Sequence, residues 1–119
     1  MKTVYITPAP RLAVDRVGQG PLLLFLHGVG GNRTNWREQL SYFGQRFTAA
    51  AWDMRGYGSS DSYTGLLTFT DLSADVWRVM EYFAAEKVHL VGLSMGEADY
   101  SASLFSTNRH HAVRNRKKN

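Results

Sequence analysis

Apolar residues recur along the chain in two rhythms, as unbroken runs of about five residues and as stripes spaced three or four apart. Leu22 to Leu26 is continuously apolar rather than alternating, which predicts a strand buried on both faces. Phe47 to Trp52 and Val88 to Leu93 read the same way. Thr3 to Thr7 and Leu12 to Val17 are short and β-branched, so two further strands are predicted, joined by Pro8-Ala9-Pro10. Gly18-Gln19-Gly20-Pro21 is a turn. Trp36, Leu40 and Phe43 fall at i, i+4 and i+7, one stripe of a helix, with Asn35 and Glu38 spaced as a capping box. A second helix is predicted over Asp71 to Ala85 behind Thr70 as N-cap, with Leu72, Val76, Met80 and Phe83 facing inward. Asp71 then sits at the positive helix N-terminus. Met95 onward starts a third helix. Strands alternating with helices predict an α/β class with a mostly parallel sheet and flanking helices.

Composition narrows the chemistry. With 119 residues, 44% of them hydrophobic, the chain suits one domain with a real core. It has no cysteine, which excludes disulfides, thiolate metal sites and cysteine nucleophiles. The opening "MKTVYITPAP" lacks the apolar core of a secretory signal, and no apolar run approaches the roughly 20 residues that span a bilayer, so a cytoplasmic location and no membrane partner are expected. The net charge of +4 is unevenly placed. Arg109, Arg114, Arg116, Lys117 and Lys118 lie in an acid-free tail, and residues 1–108 carry nine basic against ten acidic side chains. That near-neutral body argues against a nucleic-acid partner.

Three segments carry candidate chemistry. Gly92-Leu93-Ser94-Met95-Gly96 fits G-x-S-x-G directly after a predicted buried strand and before a helix. A serine at such a turn is held with its hydroxyl projecting above the sheet, and glycines two residues to either side let the backbone turn tightly. The Met95 N–H, at a helix N-terminus, is placed to meet a developing oxyanion. Ser94 is therefore the candidate nucleophile.

His27-Gly28-Val29-Gly30-Gly31 follows the Leu22 to Leu26 strand. As a phosphate cradle it fails, because G-x-G-x-x-G needs glycine where Arg33 stands and a Walker A loop needs lysine at Thr34. It reads better as an oxyanion loop delivering the Val29 N–H, with His27 ordering the loop rather than acting as base. The third segment is Asp53-Met54-Arg55-Gly56-Tyr57-Gly58-Ser59-Ser60. Asp53 reads as a loop organiser that pairs with Arg55 or accepts loop N–H groups, and Asp75 as structural.

In this order the segments closely resemble the α/β-hydrolase family, over about residues 12 to 96. Its members carry an HG loop after the third strand, here His27-Gly28, and a D-x-R-G-x-G-x-S loop after the fourth, here Asp53 to Ser60 with Arg55 in place. The nucleophile elbow after the fifth strand corresponds to Gly92 to Gly96. The stretches "GPLLLFLHG" and "GLSMG" look most like those of 3-oxoadipate enol-lactonases and related bacterial esterases. Serine at position 94 points away from the dehalogenase and epoxide-hydrolase branches. The resemblance implies a serine hydrolase acting on a small ester or lactone, with no cofactor and no metal.

The family's triad continues with an acid and a histidine well downstream of the nucleophile. Here Glu97 departs from the small residue that usually follows the elbow glycine. The only later histidines, His110 and His111, lie in the basic tail and would need Asp99 or Asp53 as acid. The chain thus reads as a partial hydrolase domain over residues 1–96 followed by a divergent basic tail over 97–119, frameshifted or disordered. On this reading the hydrolase is impaired for want of an encoded acid and base, and its rival is an inactive fragment of the family. A module that binds anionic surfaces through the tail is a weaker rival. Stopping at the fifth strand would leave Val88 to Leu93 as an open sheet edge, inviting self-association.

Overall fold

The structure, a computed structural model, describes residues 1–28, 30–93, 102–108 and 114–117. Strands β1 (Lys2–Ile6), β2 (Leu12–Val17), β3 (Leu22–Leu26), β4 (Thr48–Trp52), β5 (Lys87–Leu93), β6 (Ala102–Asn108) and β7 (Arg114–Lys117) form one sheet. Their spatial order is β1-β2-β4-β3-β5-β6-β7. The central β4, β3 and β5 are parallel, while β1 and β2 on one side and β6 and β7 on the other join by antiparallel pairing. The sheet is therefore mixed, and the expected parallel character belongs to its three central strands. Those are the strands linked by helices, as parallel neighbours require.

Continuous apolarity in β3 and β4 has a direct cause, since each face of the sheet is covered by a different helix. Leu22, Leu24, Ala50 and Trp52 join a core with Val76, Val79 and Met80 of α2 (Phe69–Tyr82). Leu23, Phe25, Ala49 and Ala51 pack on the other side against Trp36 and Leu40, the latter on α1 (Arg37–Phe43). The two sets alternate along each strand, as the two-residue period demands. The predicted stripes hold: Phe43 packs on the second cluster, and Leu72 and Phe83 on the first.

The helical turn that leads into α1 and the start of α2 both lie upstream of their predicted positions. A 3-10 turn over Arg33–Trp36 precedes α1. Its cap is Asn32, whose side chain accepts from Thr34 N–H at 2.9 Å, while the Asn35 side chain accepts from Asn32 N–H at 2.7 Å. Asn35 is thus the far half of a capping box, not its start with Glu38. Likewise Thr68, not Thr70, caps α2. Thr68 Oγ1 accepts from Asp71 N–H at 3.1 Å, and Asp71 Oδ2 accepts from Thr68 N–H at 3.0 Å. These bonds from Thr68, backbone first, hold the Asp71 carboxyl below its ordinary pKa, with Arg55 adding a smaller pull. Asparagine and threonine both qualify as caps by type, so a choice between neighbours depends on which reciprocal pair closes.

At its C-terminus α2 stops earlier than Ala85. Ala84 has φ +52°, Ala84 N–H donates to Glu81 O at 3.0 Å and Ala85 N–H to Met80 O at 2.9 Å, the paired bonds of a Schellman ending. That left-handed position favours glycine. Ala84→Gly is expected to raise stability by about 1 kcal/mol, because relief of Cβ strain outweighs the added freedom of the unfolded chain. A rise in urea midpoint at unchanged slope is the check.

The open edge expected at β5 is not there. β6 pairs antiparallel with β5 from Lys87↔Asn108 to Leu93↔Ala102, and β7 pairs with β6. Self-association through β5 therefore loses its premise. Among the described residues no helix is long and apolar enough to cross a membrane.

Candidate active site

The chain passes from β3 to β4 on one side and then returns across β3 to β5 on the other, with α1 and α2 on opposite faces. In open α/β sheets such a reversal leaves a crevice at the carboxyl ends of the strands. Here the reversal falls between β3 and β5, which run level: Leu26 pairs with Gly92 in the parallel register. The segment beginning at His27 and the segment beginning at Leu93 thus leave neighbouring strands at the same edge.

His27 is buried, and both of its ring nitrogens are engaged. Nε2 accepts from Met54 N–H at 2.9 Å, and Nδ1 lies 2.9 Å from Gly28 O, to which it donates in the matching tautomer. Tyr57 packs against the ring with centroids 5.0 Å apart. With Nε2 used as an acceptor inside the fold, His27 has no lone pair to offer a nucleophile. Its effect is to fasten the start of the glycine loop to the end of β4. Within that loop Gly31 N–H donates to Gly28 O at 3.0 Å, and Gly30 has φ +78°, a conformation that favours glycine.

Asp53 is fully buried just past β4. Oδ1 accepts from Arg33 N–H at 2.7 Å, and Oδ2 accepts from Arg33 Nη1 at 2.5 Å and from Ser59 N–H at 2.8 Å. Arg33 Nε also donates to Asp15 Oδ1 at 3.0 Å, an oxygen that accepts from Thr3 Oγ1 at 2.6 Å. The Arg33 guanidinium is thereby clamped between two buried carboxylates. Burial pulls its pKa down, but hydrogen bonds and charges from Asp15 and Asp53 outweigh that and hold it above the ordinary arginine value.

Asp53 does not pair with Arg55. Arg55 instead makes two bonds to Asp75 of α2, Nε to Oδ2 at 2.9 Å and Nη2 to Oδ1 at 2.8 Å, with Asp71 3.8 Å away. Hydrogen bonding to Asp75 is the main reason its pKa also lies above the ordinary value. Buried charges need partners of opposite sign, and here Arg33 takes Asp15 and Asp53 while Arg55 takes Asp75. Arg33 was legible only as a mismatch to a phosphate loop. The signal that finds it is Asp15, a carboxylate directly after the apolar Leu12-Ala13-Val14 of β2, which once buried requires a cation.

The glycines of the Asp53 loop have specific reasons. Gly58 has φ +50°, and a Cβ there would lie 2.2 Å from Asp53 Oδ2. Gly58→Ala is expected to cost roughly 1–3 kcal/mol through strain and displacement of that carboxylate, read as a lowered urea midpoint. Gly92 differs. A Cβ on it would meet Leu26 at 3.6 Å, an ordinary contact, so the described strand does not itself demand glycine there.

Val29, Ser94, Met95 and Gly96 lie outside the described residues, as do Asp99, His110 and His111. Among the described residues no group of three His, Asp or Glu side chains is placed to hold a metal ion.

A family model described as alpha/beta hydrolase fold matches residues 21–96. Over 76 residues the chain is 29% identical to 3-oxoadipate enol-lactonase 2 of Acinetobacter baylyi, covering 64% of this chain and 28% of that protein. Over 89 residues it is 36% identical to epoxide hydrolase 3 of Siraitia grosvenorii, covering 72% of this chain and 28% of the relative. Among solved structures, E-2-(acetamidomethylene)succinate hydrolase superposes with a TM-score of 0.72 at 30% identity, over 78% of this chain and 35% of that one. The chain thus spans under a third of the length of the two sequence relatives.

Proposed function

Given that the chain belongs to the alpha/beta hydrolase fold family, we propose that it carries the nucleophile half of a serine hydrolase acting on a small carboxylic ester or lactone. One observation carries this reading. The G-x-S-x-G segment departs from β5 at the level where the glycine loop departs from β3, on adjacent parallel strands at the sheet's switch point. Ser94 Oγ attacks the carbonyl carbon, and the carbonyl oxygen becomes an oxyanion received by the Met95 and Val29 N–H groups. The alcohol departs with the proton that Ser94 gives up, leaving an acyl-serine that water hydrolyses. Epoxide hydrolases are among the relatives, but Ser94 favours the ester and lactone branch, since the resemblance assigns the epoxide branch an aspartate there.

The general base and acid are not assigned to any described residue. Asp53 is committed to Arg33, and His27 to Met54 and Gly28. Without a base the serine hydroxyl stays protonated, so the described residues alone would make a slow catalyst.

The test is covalent. A fluorophosphonate probe at millimolar concentration, followed by peptide mapping, is expected to place one adduct on Ser94. An adduct spread over many serines, or none after prolonged incubation, favours an inert member of the family and overturns the catalytic reading.

A further inference from the structure

We propose that β7 is a docking edge for an acidic, extended segment of another protein, which adds to the sheet as a further strand. β7 (Arg114–Lys117) is the last strand in the sheet order. It pairs antiparallel with β6 from Ser103↔Lys117 to Ser106↔Arg114, and among the described residues no strand pairs with its other edge. A terminal strand presents backbone N–H and C=O groups to any chain that can lie alongside it. Three of its four residues, Arg114, Arg116 and Lys117, are cationic. Backbone pairing holds the partner strand, and charge selects it.

The charge pattern decides which strand fits. A second copy joined through β7 would set Arg114, Arg116 and Lys117 against the same three residues, and like charges across a strand pair destabilise it. The sheet's other edge, β1, reads Lys-Thr-Val-Tyr-Ile, with a cation and no acid, so it is no better match. Copies of this chain are therefore mismatched edge to edge, and the complementary strand is one that carries carboxylates. Positions 114 and 116 stand two apart, the repeat at which strand residues share a face, so an acid-x-acid partner matches their spacing. Four residues at about 3.3 Å each span roughly 13 Å, which a segment of about five residues covers. A nucleic acid would meet the charge but could not continue the backbone ladder, which favours a polypeptide.

Titration of the full chain with the peptide Thr-Glu-Val-Glu-Thr, followed by amide NMR, is the test. Shift changes are expected at Arg114 to Lys117. At about 0.05 M salt this peptide should bind about fivefold tighter, or more, than Thr-Gln-Val-Gln-Thr, and the gap should narrow at about 0.5 M as screening grows. Thr-Glu-Pro-Glu-Thr keeps the charge but cannot pair as a regular strand, so it should bind no better than the glutamine peptide. Arg116→Gln is expected to weaken the acidic peptide about threefold, with amide exchange at Leu24 and Ala50 of the central strands within about twofold of the original. No shift change at millimolar peptide overturns the proposal, as do changes confined to β1. Equal binding by the proline peptide overturns it too, since bare charge attraction then suffices. So does unchanged affinity in Arg116→Gln. Tighter binding by a single-stranded oligonucleotide of equal charge would assign these cations to nucleic acid instead, and the peptide reading would fall.

Discussion

Asp53→Ala is expected to destabilise the fold by roughly 3–5 kcal/mol, the range for removing one partner of a buried ion pair. The carboxylate is fully buried and accepts from two backbone N–H groups, on Arg33 and Ser59, as well as from the Arg33 guanidinium. Alanine would leave those N–H groups without an acceptor and the guanidinium with Asp15 as its one remaining carboxylate. Since domains are typically stable by about 5–15 kcal/mol, the loss takes a large share of the total. Asp53→Asn is the informative companion. It keeps an acceptor of similar shape but not the charge, so it should fall between the original and alanine. Urea unfolding at constant slope measures both. A cost under about 1 kcal/mol for alanine would mean that Arg33 finds an equivalent partner, and the clamp would then be incidental.

Ser94→Ala is expected to abolish fluorophosphonate labelling without moving the urea midpoint appreciably, because only a hydroxyl is removed. The turnover arithmetic is harsher. Loss of triad function in a serine hydrolase costs on the order of 10⁶ in kcat, with a residue of catalysis from the oxyanion site. The 119-residue chain should accordingly hydrolyse p-nitrophenyl acetate only marginally faster than the Ser94→Ala variant. Ordinary enzymatic turnover that survives the substitution would show that another residue does the chemistry. Ordinary turnover abolished by it would mean that the chain supplies a base after all, with His110 and His111 the first residues to replace.

Several elements were legible because their cause is local. Leu22 to Leu26 was readable as a strand buried on both faces, and its bounds are those observed, since five apolar residues in a row can only be a double-sided strand or part of a longer helix. Leu12 to Val17 is likewise a strand with the expected limits. The stripes of α1 and α2 were visible because 3.6-residue periodicity survives in the sequence whatever the helix packs against. The helix starts were misplaced by a few residues for an equally local reason. Asn32 and Asn35, or Thr68 and Thr70, are similar as caps, and the winner is settled by a reciprocal bond that composition does not rank.

The carboxylates of the site were a different matter. Asp53 was legible as a loop organiser that pairs with Arg55 or accepts loop N–H groups, and Asp75 as structural. Asp53 does accept loop N–H groups, from Arg33 and Ser59, but Arg55, the nearest arginine in sequence, was the wrong partner for it. Arg33 stands 20 positions from Asp53 and 18 from Asp15, and Arg55 stands 20 from Asp75. By itself, then, the sequence determined the first five strands, the helical faces and the loops at His27 and Asp53, because hydrophobic period and turn chemistry act over a few residues. The tertiary structure decided which arginine clamps which aspartate and which strand covers β5, because a buried charge or an open strand edge is satisfied by whatever the fold brings near.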